Sequence, residues 1–348
     1  MSNKMSIGKK EKYDFVDVCK FLACICIVGI HTTVFSEFIG GGRYYYLQAG
    51  VFRLAVPFFF VASGFFFGKQ LFAAKDRNHV LKKYLIRLGI PLAFWEIVNI
   101  VIEILKQFFV KKQPVSKIAY NVIKSILFYP YGALWYVQAL MIALIIIAYI
   151  YKKGWFEKGL FISVVLYTVG LLGNSYYFLI YGTKVQRTID CYLDMFVSTR
   201  NAFFVALYFV LMGVWIAAHE NWVKEIKGKK VIAISAYVVY FLEIYLIRDC
   251  KSADDKSMFL SFLVLVPLLF IVVIDSNLTT TKAKVLRSYS TGIYFMHKAV
   301  IHIWLIVFAV IGVEILPTVE FAFVLLSCFI VCTIACKIDN RFINILTR

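Results

Sequence analysis

The sequence predicts an all-α, polytopic membrane protein with about ten transmembrane helices in a single integral domain over residues 1–348. Three observations carry that expectation. Hydrophobic residues make up 61% and aromatic residues 18% of the chain, with a mean hydropathy of +0.79, whereas a soluble domain is nearer half apolar. Ten apolar runs reach the length of about 20 residues that a bilayer core demands. Between them lies no polar or low-complexity stretch long enough to form a separate soluble domain. The runs fall near 15–35, 49–70, 84–105, 133–151, 156–174, 201–219, 230–247, 258–275, 290–312 and 318–337. A shorter apolar stretch from Ile118 to Tyr129 is expected to re-enter the membrane or lie in its interface.

The first run carries the pair Lys20 and His31. Eleven steps of about 100° return to within roughly 20° of the start, so both side chains share one helix face, about 16 Å apart along the axis. A cation at one membrane boundary and an imidazole about halfway through point to a buried reaction path, because ionisable groups at that depth are costly. Asp17, one turn before Lys20, is expected to hold it in an ion pair. A snorkelling lysine and a satisfied core histidine remain the plainer alternative. In the second run, Gly64 and Gly68 have the spacing that lets helices approach closely, and Ser63 lacks the surroundings of a nucleophile elbow. The third opens with Arg87, which with Lys20, Lys284 and Arg287 would ring an opening suited to a phosphate-bearing donor; ordinary anchoring explains each equally well. Tyr294 and His297 share a face of the ninth run, and His302 is expected to pack. His31, His297 and His302 lack metal-ligand spacing and a nearby carboxylate, so no metal is expected. The Asp254–Asp255 pair is expected to be solvated.

A net charge of +18 invites a nucleic-acid reading, but the basic residues gather on the loops that share a side with the N-terminus. That bias sets membrane topology and puts both termini in the cytoplasm of a multi-pass plasma-membrane protein, with no nucleic-acid partner. The outlier is the connection carrying Lys106, Lys111, Lys112, Lys117 and Lys124, read as a solvated linker, a dipping segment or a basic rim around an anionic acceptor. The N-terminal Met1–Lys4 leads into the first run without a cleavage site, so that run is expected to be an uncleaved anchor. Cys328, Cys332 and Cys336 form a packing stripe, and Cys191 and Cys250 fall in loops on one side where a pairing is open.

Five further segments recur in order with Lys20-x10-His31: FFFVASGFFFG at Phe58–Gly68, RLGIPLAFW at Arg87–Trp95, ALWYVQAL at Ala133–Leu140, TRNAFFVALYFVLMG at Thr199–Gly213 and YSTGIYFMH at Tyr289–His297. Together they resemble the acyltransferase 3 family of bacterial membrane acyltransferases, over nearly the whole chain. Two positions depart from its pattern. Lys20 stands where Arg is commoner, replacing a bidentate contact by a point charge, and Ala202 stands where Gly is expected.

The resemblance implies O-acylation: transfer of an acyl group, usually acetyl, from the co-substrate acyl-CoA to a hydroxyl of a cell-envelope glycan, glycolipid or related acceptor. This would be a polysaccharide-modifying reaction with no permanently bound cofactor. His31 would act as general base or as an acyl relay, and Lys20 would orient the donor, with Asp17 and Arg87 near it. Trp135, Arg200, Asn201, Tyr294 and His297 are the further pocket candidates. With no fused domain evident, the acceptor is expected to meet the membrane domain or a separate protein; oligomeric state is left open. The rival class is a secondary transporter or flippase for an anionic or glycolipid substrate, against which stands the lack of an evident two-half repeat.

Overall fold

The computed structural model describes residues 13–338 together with residues 340 and 346; Met1–Lys4, ahead of the run expected to be an uncleaved anchor, lie outside the described residues. Fourteen α-helices follow in order: α1 Asp14–Thr32, α2 Ser36–Gly50, α3 Ala55–Ala73, α4 Arg77–Leu105, α5 Val115–Leu127, α6 Trp135–Lys153, α7 Phe156–Leu172, α8 Lys184–Phe196, α9 Leu207–Ala218, α10 Glu220–Glu225, α11 Lys229–Ile247, α12 Phe262–Ile274, α13 Ala283–Val310 and α14 Pro317–Lys337. No strand occurs among the described residues. Every expected apolar run falls on a helix, and among the described residues seven helical segments are long and apolar enough to cross a membrane. The runs on α7, α9 and α12 fall short because these helices have 17, 12 and 13 residues, below the roughly 20 that span hydrocarbon.

The centre of the fold is the α3–α9 pair, which the small residues make possible. A Cβ on Gly64 would lie 2.1 Å from the carbonyl oxygen of Val210, and one on Gly213 would lie 2.1 Å from that of Val61. Only hydrogen fits there, so the two backbones touch directly. α1 packs along α13, which also carries α14. α4 and α6 flank the centre. The outward face of α11 is apolar, exposing Val231, Ile234, Val238, Leu242 and Tyr245, as a helix against hydrocarbon should. The expected interfacial stretch becomes α5, which exposes Val115, Tyr120, Ile123 and Ile126 on the outside of the fold. Below, the end of the molecule where α1 begins is called proximal and the opposite end distal.

α1 ends earlier than its apolar run. Thr33 adopts a left-handed conformation (φ 52°) and its N–H bonds to the Gly29 carbonyl, closing the helix at Thr32. His31 therefore sits in the last turn of α1, about 26 Å along its axis rather than at its midpoint. Cys191 and Cys250 are free thiols, as are the packing cysteines Cys328 and Cys332.

Candidate active site

α1 and α13 run side by side in the same direction, and their shared face carries the polar groups in register. Asp17 meets Arg287, the Lys20 carbonyl accepts from Ser290 Oγ at 3.2 Å, and His31 faces His297. Asp17, Cys24 and His31 thus point at protein, and Lys20 on the same stripe points into a cavity, as the 3.6-residue period implied. Asp17 does not pair with Lys20, however. Its carboxylate, 2% exposed, takes a two-pronged contact from Arg287, with Nη2–Oδ2 at 2.5 Å and Nε–Oδ1 at 2.9 Å. A rigid guanidinium fork matches a carboxylate better than a flexible ammonium one turn away on the same helix. Lys20 makes no ion pair among the described residues and faces open space.

That space is a proximal cavity of about 280 Å³, lined by Asp17, Lys20, Arg87, Arg287, Ser63 and Tyr84 towards its mouth and by Phe59, Tyr136 and Tyr294 deeper in. Four expected residues, Asp17, Lys20, Arg87 and Tyr294, therefore come together from three distant segments. Lys284 is not among the lining residues. The inner end is closed by aromatic side chains: Tyr136 and Tyr294 meet at 5.5 Å between ring centroids, Tyr136 Oη shares a 3.2 Å hydrogen bond with Ser63 Oγ, and Tyr294 Oη donates to the Ala133 carbonyl.

One turn beyond Tyr294 lies His297, fully buried, with its ring 5.3 Å from that of His31. Its Nδ1 lies 3.1 Å and 2.6 Å from the carbonyl oxygens of Ile293 and Tyr294, which fixes the proton on that nitrogen. Nε2 is then a bare lone pair, and it has no hydrogen-bond partner. His31 lines neither the proximal cavity nor the distal one described next.

Trp135, Arg200 and Asn201 line a separate distal cavity of about 330 Å³, away from Lys20. The Arg200 guanidinium lies 5.8 Å from the Trp135 ring centroid and pairs with Asp254 at 3.0 Å and Asp255 at 3.1 Å. Asn201 is largely structural: Oδ1 accepts from the backbone N–H groups of Phe203 and Phe204, capping the helical segment that leads into α9. Asp254 and Asp255, expected to be solvated, are instead ion-paired while staying partly exposed. Besides Arg200, Asp255 binds the buried Arg53 at 2.7 Å. Burial pushes the Asp255 carboxyl up, but Arg53 and Arg200 beside it outweigh that and hold it below its ordinary value. Arg53 and Tyr136 were not singled out from the sequence. The signal was present for Arg53, an arginine inside an apolar stretch four residues before Pro57.

The family model for the acyltransferase 3 acyltransferase domain matches residues 13–337. The chain is 30% identical over 223 residues to an amino-acid racemase of Enterococcus faecalis, covering 61% of this chain and 29% of the relative. A second amino-acid racemase of Enterococcus faecalis is 24% identical over 299 residues, 84% of this chain and 41% of the relative. A serine/alanine racemase of Enterococcus gallinarum is 25% identical over 213 residues, 58% of this chain and 28% of the relative. The chain thus spans well under half the length of the curated relatives it matches. No solved structure matches it.

Proposed function

The chain belongs to the acyltransferase 3 family and is an acyltransferase, and from that premise we propose that it transfers an acyl group, commonly acetyl, from acyl-CoA to a hydroxyl of a cell-envelope glycan, glycolipid or related acceptor. The observation that supports the reading is the His31–His297 pair, its His297 member fully buried, beside a cation-lined proximal cavity. At the mouth, Lys20, Arg87 and Arg287 suit the phosphates of the donor. A volume of about 280 Å³ is at the bottom of the range for small-molecule sites, so it suits the slender thioester arm, with the nucleotide remaining outside. Rotation of Tyr136 or Tyr294 would open the inner end towards the histidines.

In the transfer step, neutral His31 takes the proton of the acceptor hydroxyl as its oxygen attacks the thioester carbonyl. The carbon–oxygen bond forms, the carbon–sulfur bond breaks, and the imidazolium returns its proton to the departing thiolate. Such base catalysis is worth about 10²–10⁴-fold. The oriented Nε2 of His297 supports the site from the other side as an acceptor for a hydroxyl or for the His31 ring N–H. In this reading the proximal end faces the cytoplasm and the chain resides in a bacterial plasma membrane. The racemase activity of the relatives is not carried over, because the shared part is a minority of each of those proteins.

The test incubates membranes containing the protein with labelled acetyl-CoA and native envelope acceptors, comparing the unaltered chain with His31→Ala at equal protein levels. Loss of label transfer in the variant is expected. Equal labelling by both removes His31 from the mechanism.

A further inference from the structure

Five tyrosines are buried among the described residues: Tyr136, Tyr167, Tyr208, Tyr240 and Tyr294. Four of them donate to a backbone carbonyl, Tyr167 to Phe259, Tyr208 to Leu263, Tyr240 to Ala49 and Tyr294 to Ala133. Such a bond satisfies a buried hydroxyl and ties it to a fixed acceptor. Tyr136 differs. Its Oη meets Ser63 Oγ at 3.2 Å, and both residues line the proximal cavity. Ser63 is set apart in the same way. Ser163, Thr168 and Thr333 turn their hydroxyls back on carbonyls three or four residues earlier in their own helices, as helical hydroxyls commonly do. Ser63 reaches across from α3 to α6 instead.

Packing holds both partners. Gly64, next to Ser63, lies in the backbone contact with Val210, so α3 cannot slide without a clash. The Tyr136 ring sits 4.4 Å from Phe60, 5.5 Å from Tyr294 and 6.1 Å from Phe59, between centroids. Two hydroxyls carry two protons, and their mutual bond uses one. The other is left for a third oxygen, and a hydroxyl that already accepts a hydrogen bond donates more strongly. The cavity wall around the pair is apolar, with Phe59, Phe66, Val137, Leu140 and Phe295, while Lys20 adds a positive charge to the same space. Donors fixed in apolar surroundings stabilise a developing charge far better than water does.

We infer that the Ser63–Tyr136 hydroxyl pair receives the carbonyl oxygen of the donor thioester and holds the negative charge that gathers there during transfer, an assignment that rests on the acyl-transfer reading. As the acceptor oxygen bonds to the carbonyl carbon, the carbonyl electron pair moves onto its own oxygen. The Tyr136 hydroxyl donates to that oxygen and accepts from Ser63 Oγ behind it. The pair returns to the carbon when the carbon–sulfur bond breaks. Tyr136 is thus the catalytic group and Ser63 its positioning residue, a donor and not a nucleophile. With Tyr136 on the carbonyl, the inner end opens by rotation of Tyr294 alone.

The test uses the full chain in lipid nanodiscs and has two readouts. One is the kinetics of label transfer from acetyl-CoA to native envelope acceptors. The other is the infrared carbonyl stretch of isotope-labelled acetyl-CoA bound to His31→Ala, which holds the donor without turnover. Tyr136→Phe keeps the ring and removes only the hydroxyl. It lowers kcat about 100-fold with the donor KM unchanged. A hydrogen bond weakens the carbonyl bond, so the stretch lies lower in His31→Ala than in the double variant His31→Ala, Tyr136→Phe. Ser63→Ala lowers kcat less and moves the band part of the way, an independent check should Tyr136→Phe fail to fold. An unmoved band, an unchanged kcat or a loss confined to KM overturns the assignment and leaves the Ser63–Tyr136 bond a tie between helices. Acetyl-CoA that fails to bind the unaltered chain overturns the acyl-CoA reading and this one with it. Binding and His31-dependent transfer with no band shift overturn the hydroxyl pair alone. A band shift with transfer surviving in His31→Ala upholds the pair and overturns the base assignment instead.

Discussion

Breaking the Asp17–Arg287 pair from its two ends should give unequal losses, and the inequality follows from burial. The Asp17 side chain is 2% exposed and that of Arg287 51%. Replacing Arg287 by Gln strands a carboxylate where water cannot reach it, a situation that costs about 3–5 kcal/mol. Lys20, one turn along and without an ion-pair partner, can swing towards Asp17, which places the loss near the lower end, about 3 kcal/mol or two orders of magnitude in the folding equilibrium. Replacing Asp17 by Asn leaves a guanidinium that keeps half its hydration, so the loss is only that of a partly exposed pair, about 1 kcal/mol. The double variant Arg287→Gln, Lys20→Gln removes the rescue and falls further than the sum of its parts. Equilibrium unfolding in mixed micelles of rising SDS fraction ranks the variants. A loss for Asp17→Asn equal to or above that for Arg287→Gln would refute the reasoning, because the energy would then lie in the attraction and not in desolvation of Asp17.

Three other outcomes are expected. Gly64→Ala drives a methyl group into the Val210 carbonyl, where 2.1 Å is available, and should cost about 1–3 kcal/mol or prevent assembly of α3 with α9, read in the same unfolding assay. Asn201→Ala removes the cap of the segment leading into α9 and should cost about 1 kcal/mol, with proximal-cavity residues undisturbed when donor protection of a Lys20→Cys thiol is measured. Asp255 titrates below its ordinary value in the folded chain, so its contribution is full above the unfolded pKa of about 3.9 and is lost as pH falls through the lower folded value. Acid below about pH 4 should therefore loosen the 248–261 loop and shift Trp135 fluorescence through Arg200; Asp255→Asn should abolish that acid transition.

The helix period made much of the proximal site legible. It placed Lys20 and His31 on one stripe of α1, set Tyr294 and His297 one turn apart on α13, and marked Gly64 as a close-approach position. Charge bias gathered Arg87 and Arg287 at the same end as Lys20. Less was legible distally. Trp135, Arg200 and Asn201 fit the family pattern, yet they line a second cavity, and Asn201 turns most of its polar capacity on its own helix.

What the chain alone determined is the class of molecule: apolar runs of bilayer length force the backbone to satisfy itself in helices. Angles and rises within each helix came with it, because these are local properties of the backbone. Only the tertiary structure decided that Arg287, 270 residues away, binds Asp17, that His31 meets His297, and that Asp254 and Asp255 close on Arg53 and Arg200. Periodicity states which way a side chain points from its own axis; which distant face stands opposite is set by how close the helices can pack, and here backbone contact at Gly64 and Gly213 sets that distance.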